Sequence, residues 1–506
     1  MPDSSTSVEN KPFPQFLAEF KEKLRQLFHV RTDLNEISAQ RGLPPFVLRE
    51  IMAGNPLATY VPQRYGGRGG VSHEGLALTA AASYESLPLS LGFGINWALF
   101  LQPVIKYAQD EAKLPLLKKF LAERKMGGLM ITEPGHGSDA LRMQSCYTRH
   151  GDRYHLKGTK HWAGLTGWAD FWLLTARQQN ESGELMRDID FFICDVAARD
   201  QHIVVEEVYQ NLGIYMLPYG RNKVDVKIPV VQKLEPHSSG IKMMLDLLHR
   251  SRMQFPGMGM GFIQRMLDEA VAHCRDRVVG GRSLFTYDQV QQRLARLQSA
   301  FTVCSAMCLN SSHKVSIEND MAPHGLEANA VKTYLTDLMQ STAQSLLQLV
   351  GAKGYRLNHI AGRAIVDSRP FQIFEGSNDI LYIQIGEAIQ KQLQRAKNAN
   401  LLTLLSGMEL TVLAADRLRK LLDFSVRTHL PQRKLTELGK VVSRIVAMDQ
   451  VIRLGQTSFN KELIQSSLSH IEQELTALFS SFNFSNLHNF YEGYEENSSW
   501  LNCYQS

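Results

Sequence analysis

A chain of 506 residues, 44% apolar and 21% charged, has the composition of an ordinary soluble globular protein of two to four domains. Its net charge of +5 is small, and no basic run interleaved with aromatics is present, which argues against a nucleic-acid-binding surface. The six cysteines (Cys146, Cys194, Cys274, Cys304, Cys308 and Cys503) form no CxxC pair and no ligand cluster with histidine. They are expected to be reduced thiols in a cytoplasmic protein that binds no metal.

The opening stretch "MPDSSTSVENKPFPQF" is polar and lacks an apolar signal core. No later segment is expected to reach the ~20 apolar residues of a membrane span. From about Phe13 to Phe120 the apolar spacing is helical, with Phe16, Phe20, Leu24 and Phe28 falling one turn apart. "YVPQRYGGRGG" (60–70) interrupts it as a Pro/Gly loop. Between Met126 and Pro229 the texture changes. "RYHLKGTKHW", "FWLLTAR", "DIDFFICDV", "HIVVEEV" and "KVDVKIPV" are short, β-branched or aromatic, and bounded by turn residues, so each is predicted to be a strand.

Helical spacing then returns and holds to about residue 480. The stretch "LLTLLSGMELTVLAADRLRKLLDF" is predicted helical, and the tail "FNFSNLHNFYEGYEENSSW" is polar, aromatic and expected to be ordered in part against another surface. The expected architecture is α+β: a helical domain over 1–124, a β domain over 125–235, a helical bundle over 236–395 and a helical extension over 396–506.

Three stretches carry candidate chemistry. In "LMITEPGHGSDALRMQS" (129–145), Pro134, Gly135 and Gly137 make a tight loop whose N–H groups can face a ligand, and Thr132 and Ser138 add hydroxyls; the plainer reading is a connector. Trp162, at a strand end, is either core or a cover for one face of a flat cofactor. In "FQIFEGSNDIL" (371–381), Glu375 follows Phe371, Ile373 and Phe374. It is either a solvated loop carboxylate or a general base pressed against an apolar pocket.

"ITEPGHGSD", "GTKHW", "RVVGGRSL" (277–284), "LLQLVGAKGY" (346–355) and "FEGSND" (374–379) stand in the order and approximate spacing of the acyl-CoA dehydrogenases. Over roughly residues 40–395 the chain resembles that family of FAD flavoproteins. The resemblance implies an N-terminal helical domain, a middle β-barrel and a C-terminal four-helix bundle. It places Leu129, Ile131 and Thr132 at the flavin ring edge, Ser138 at the junction of flavin and thioester, and Trp162 and Gly164 against the isoalloxazine. Arg277, Gly280, Asp288, Gln348, Gly351 and Ala352 would hold the pyrophosphate and adenine end across a subunit interface, which implies a homodimer or homotetramer. Ser377 and Asp379 would also touch FAD, Gly376 would line the substrate site, and Arg252 would lie near the CoA arm.

In that resemblance Glu375 is the catalytic base. Abstracting a proton α to a thioester calls for a carboxylate in a water-poor pocket, where a raised pKa brings it nearer the acidity of the substrate. The glutamate's own N–H would polarise the thioester carbonyl, and the β-hydrogen would leave as hydride to the flavin. A minority branch carries its glutamate at the position of Ser251, which cannot act as that base.

The chain also departs from the family pattern. Gly164 stands where a serine or threonine hydroxyl is usual, Gly280 replaces an aromatic ring, and Val366-Asp367 replaces Arg-Asp, with Arg363 and Arg369 nearby. The expected activity is dehydrogenation of an acyl-CoA, or of an acyl-carrier-protein thioester, with electrons passed to an acceptor such as an electron-transfer flavoprotein. The alternatives are an oxidase that uses oxygen, a flavoprotein whose role is binding, including to DNA, and a scaffold without catalysis.

Overall fold

In the computed structural model, which describes residues 11–397, 399–427, 429–484, 490–494 and 498–500, the N-terminal region is helical as expected. Helix Phe13–Arg25 buries Phe16, Phe20 and Leu24, and the chain continues with π geometry over Gln26–Arg31, burying Phe28. The polar start, Cys503 and parts of the aromatic tail lie outside the described residues.

One expectation fails. Leu87–Tyr107, 21 residues of continuous helix, is long and apolar enough to cross a membrane by length and composition, although Ser90, Asn96 and Gln102 divide it in the sequence. Its most apolar window is 89% buried within the protein. Those three polar residues are themselves buried; Asn96 accepts from Gly127 N at 2.7 Å and so ties the helix to the sheet.

All five predicted strands form, joined by two more. In chain order they are β1 (Gly127–Met130), β2 (Cys146–His150), β3 (Arg153–Gly164), β4 (Phe171–Gln178), β5 (Asp190–Asp195), β6 (Ile203–Val208) and β7 (Tyr219–Pro229). β1 and β2 share one edge of β4, both parallel to it, and β5 lies antiparallel on the other. From β2 the sheet runs antiparallel through β3 and β7 to β6. Its end strands β5 and β6 form no ladder with each other among the described residues, so the expected barrel is a curled sheet. β1 escapes propensity reasoning because it begins with two glycines. Packing requires them: a Cβ on Gly127 would fall 2.1 Å from Phe100, and one on Gly128 2.5 Å from Trp172.

Four long helices follow: Gly240–Asp276, Asp288–Lys314, Gly325–Val350 and Asn378–Ala396. Ser239 caps the first, a 37-residue helix, through a bond from Lys242 N. Gly261 on it allows close approach to helix Ser72–Glu85, where a Cβ would stand 1.9 Å from the Ala80 carbonyl. The extension adds Gln432–Leu454 and Lys461–Asn483, which pack on the bundle. Gln432–Leu454 lies along Asn378–Ala396, and the backbone of Gly439 meets that of Tyr382. Arg444, nearly buried, reaches Asp337 at 3.2 Å and Glu474 at 3.5 Å and covers the Tyr334 ring at 4.3 Å. Charge and packing together fasten the extension to the bundle.

Candidate active site

A single short 3₁₀ turn, Arg369–Gln372, carries the chain into the stretch that holds Glu375. Phe371 and Phe374 pack on each other at 4.9 Å and against Phe255 of the long helix at 5.9 and 6.0 Å, anchoring the turn in the core. Glu375 itself is left-handed (φ 52°), and Gly376 follows at φ 89°. A non-glycine residue in that region costs roughly 1–3 kcal/mol unless its surroundings hold it there.

Two cations hold it. Arg252 donates from Nε (3.0 Å) and Nη2 (2.8 Å) to the carbonyl of Glu375, and from Nη1 to Asn329. Lys332 donates to the carbonyl of Gly376 at 2.8 Å and to Asn378 Oδ1 at 2.9 Å. Both side chains are buried. Two successive carbonyls of the turn are thus each bound by a cation from a different bundle helix. The sequence resemblance puts Arg252 beside the CoA arm; in the structure three of its nitrogens serve the Glu375 turn and Asn329.

The Glu375 carboxylate has two unlike oxygens. Oε1 accepts from Ser251 Oγ at 2.9 Å. Oε2 is shut away from solvent and has no hydrogen-bond partner among the described residues. Burial pushes the carboxyl above its ordinary value, against the opposing effects of Arg252, the Ser251 hydroxyl and Lys332. Lys332 moves the other way: burial brings it down to about 7, and only part of that is offset by Glu375. Burial thus acts against both charges, biasing the Glu375 carboxyl toward holding a proton and the Lys332 amine toward releasing one.

Glu375 lines a small cavity together with Leu91, Ile95, Ser251, Gln254, Phe255 and Met258. Gly94 lies beside it, and a Cβ there would come within 3.2 Å of Met258 Sδ. Ile95 opens a π-helical segment, Ile95–Leu101, an irregularity often found where a helix lines a site. The cavity lining is mostly apolar, with Ser251 and Glu375 on the polar side.

On the sheet side, Leu129 belongs to β1, and Ile131 and Thr132 follow it. The Thr132 carbonyl accepts from His161 N at 2.9 Å, which holds the loop against the end of β3. A buried pair braces the loop from below: Lys160 donates to Glu133 at 2.7 Å, and Glu133 also takes the N–H groups of Gln144 and Ser145. Ser138 is exposed, and Gly135 and Gly137 face open space. Trp162 is left-handed (φ 54°) and 52% exposed, its indole leaning on Tyr209 at 4.6 Å. Gly164, two residues on, is buried.

The remaining sequence candidates divide. Ser377 and Asp379 begin helix Asn378–Ala396, directly after Glu375 and Gly376. Arg277, Gly280 and Asp288 are exposed on and after a two-stranded hairpin, whose Gly280-Gly281 turn has positive φ at both residues. That turn accounts for the glycine at 280. Gln348, Gly351 and Ala352 are exposed at the end of helix Gly325–Val350. Asp367 is buried and accepts from Ile214 N at 2.5 Å, and it interacts with Arg363 one helical turn earlier. Sequence reasoning missed Lys332, Asn378 and the cavity wall at Leu91 and Ile95. A lysine inside the apolar run "ANAVKTYL" was the available signal for the first.

Comparison with known proteins agrees with this geometry. The family description of the acyl-CoA dehydrogenase middle domain matches residues 128–225, and that of the acyl-CoA dehydrogenase C-terminal domain matches 238–390. A glutaryl-CoA dehydrogenase from Desulfococcus multivorans is 24% identical over 326 residues, 64% of this chain and 82% of that protein. Butyryl-CoA dehydrogenase from Megasphaera elsdenii superposes with a TM-score of 0.65 at 21% identity, over 77% of this chain and all of the other. An acyl-CoA dehydrogenase from Bacillus anthracis, solved with FAD, superposes with a TM-score of 0.73 at 16% identity over 95% of this chain and 93% of its own, so its fold has a counterpart for most of the extension. In sequence and in fold, this chain belongs to the acyl-CoA dehydrogenase family.

Proposed function

We propose that the chain is an FAD-dependent acyl-CoA dehydrogenase in which Glu375 removes the α-proton of an acyl thioester. The observation that carries this reading is the unpartnered Oε2 of Glu375, a residue that lines a mostly apolar cavity. A carboxylate oxygen desolvated without a partner is costly in a resting fold and is what a proton acceptor requires.

The residues fit a flat, anionic cofactor. Trp162 offers an exposed aromatic face, and the Gly135–Gly137 loop leaves room for close approach. Leu129, Ile131, Thr132, Ser138, Trp162 and Gly164 would hold the ring, with Ser377 and Asp379 near it. The exposed Arg277, Gly280, Asp288, Gln348, Gly351 and Ala352 would serve the phosphate and adenine end in a neighbouring subunit, so the assembly is a homodimer or homotetramer. FAD, when bound, supplies the acceptor for the β-hydrogen.

The chain's own groups do the rest. The cavity takes the acyl chain and excludes water. Arg252 and Lys332 fix the turn so that Oε2 meets the α-carbon, and the Glu375 N–H polarises the thioester carbonyl. Electrons leave to an external acceptor such as an electron-transfer flavoprotein. The cysteines in the described residues are free, in keeping with a reducing cytoplasm.

Anaerobic mixing with acyl-CoA thioesters of graded chain length tests the reading. The wild type bleaches with at least one of them, and Glu375→Gln, nearly isosteric, loses roughly 10²–10⁴-fold in the rate of bleaching. A variant that bleaches at the normal rate would remove Glu375 as the base.

A further inference from the structure

Gly164 at the end of β3 pairs across the ladder with Tyr219 at the start of β7. The Tyr219 ring crosses the space that a side chain on Gly164 would fill: a Cβ there would come 3.2 Å from the phenolic oxygen and 2.6 Å from Cδ1 of Ile95. Ile95 also lines the cavity that Glu375 lines. The phenol therefore lies beside Ile95, one of the residues of that cavity wall. Tyr219 is half-buried, and its hydroxyl makes no hydrogen bond to the described residues, so its O–H is available to a ligand. Tyr219 is close enough to Glu375 to feel its charge, and burial raises the phenol further, so it stays protonated as a donor at any physiological pH.

We infer that the Tyr219 hydroxyl is a substrate-contacting donor that hydrogen-bonds an oxygen of the bound acyl thioester where Glu375 acts. A ligand that reaches Glu375 past Ile95 comes near a phenol whose O–H makes no hydrogen bond to the described residues. The glycine at 164 follows from this arrangement, because any larger residue would displace both the phenol and Ile95. The site has its side-chain hydroxyl on β7 instead of β3. The inference rests on the proposed acyl-thioester activity and adds to it a residue that selects the polar head of the ligand.

The test uses the FAD-loaded protein and equilibrium calorimetry with trans-2-enoyl-CoA thioesters of four to sixteen carbons, whose double bond is already in place. Matched S-alkyl-CoA thioethers, which lack the acyl oxygen, serve as controls. Tyr219→Phe keeps the ring and so the packing, and thermal melting and flavin content should match the wild type. The variant should bind the enoyl thioester about two- to tenfold more weakly, as expected for one lost hydrogen bond, and bind the thioether as the wild type does. Equal weakening for both ligands, or none for the thioester, overturns the inference while leaving the dehydrogenase reading intact. If the wild type binds no thioester of the series, the dehydrogenase reading falls and the inference with it. If Tyr219→Phe melts early or loses flavin, Tyr219→Leu with Gly164→Ser provides the second variant. Recovery of thioester binding relative to Tyr219→Leu alone then supports a hydroxyl contact, and no recovery counts against it.

Discussion

Ser251 Oγ stands 2.9 Å from Oε1 of Glu375, so the residue at the minority branch's glutamate position hydrogen-bonds the base of the other branch. The two positions belong to one site, brought together by the packing of the long helix against the Glu375 turn. The Ser251 hydroxyl favours the ionised carboxylate and so opposes the upward push of burial. Ser251→Ala should raise the Glu375 pKa and move the acidic limb of kcat/KM to higher pH, with the plateau rate changed much less. A pH–rate profile for the two proteins measures this, and coincident acidic limbs would exclude the interaction.

Arg252 and Lys332 each bind one of two consecutive carbonyls, so they act on Glu375 through its backbone. Arg252→Lys keeps the charge but loses the fork that spans two donors to one carbonyl. It should lower kcat by about tenfold or more, because a small displacement of a base is expensive in rate. KM should move less, since the cavity walls are untouched. Steady-state kinetics on the variant separates this from a role in binding CoA, in which KM would carry the change.

Much of this was legible in the sequence because periodicity reports which face is buried. Phe16, Phe20, Leu24 and Phe28 all turn inward, and the five strands with β-branched and aromatic runs all form. β1 was not legible, since Gly127 and Gly128 are chosen by Phe100 and Trp172, which lie far away in the chain. The same is true at the site. Glu375 could be singled out because its local setting is unusual. Lys332 and Tyr219 matter through contacts made by the fold alone, and in isolation one reads as a helical lysine and the other as a strand tyrosine. Leu87–Tyr107 shows the converse: its polar residues break the apolar pattern, yet in the fold they are buried among its helix and sheet contacts.

Arg444 joins the extension to the bundle through Asp337, pairs within the extension with Glu474, and lies against Tyr334 and Tyr382. Arg444→Met should destabilise the protein by roughly 1–3 kcal/mol, because it leaves two partly exposed carboxylates without their cation. Limited proteolysis should release fragments cut between residues 396 and 432 sooner than in the wild type. Unchanged chemical denaturation would show that the close packing at Gly439 holds the extension without the Arg444 pairs.

The carboxyl of Glu375 also sets a stability that depends on pH. Its folded pKa lies above the ordinary 4.5, so the folded protein binds this proton more tightly than the unfolded chain. The resulting stability is fully present below 4.5 and is lost as pH rises through the folded value. Glutamine mimics the protonated form, and Glu375→Gln should therefore melt above the wild type near neutral pH. The gap should narrow as pH falls and close below about 4.5. Asp367, held up to about 6 by burial, adds a pH dependence of the same sign, but it is common to both proteins and cancels in the difference. Paired thermal melts at fixed ionic strength from pH 4 to pH 8 measure it. A variant that is less stable at neutral pH would mean that the attraction of Arg252 and Lys332 for the carboxylate outweighs its burial. Glu375 would then be held ionised rather than poised to take a proton.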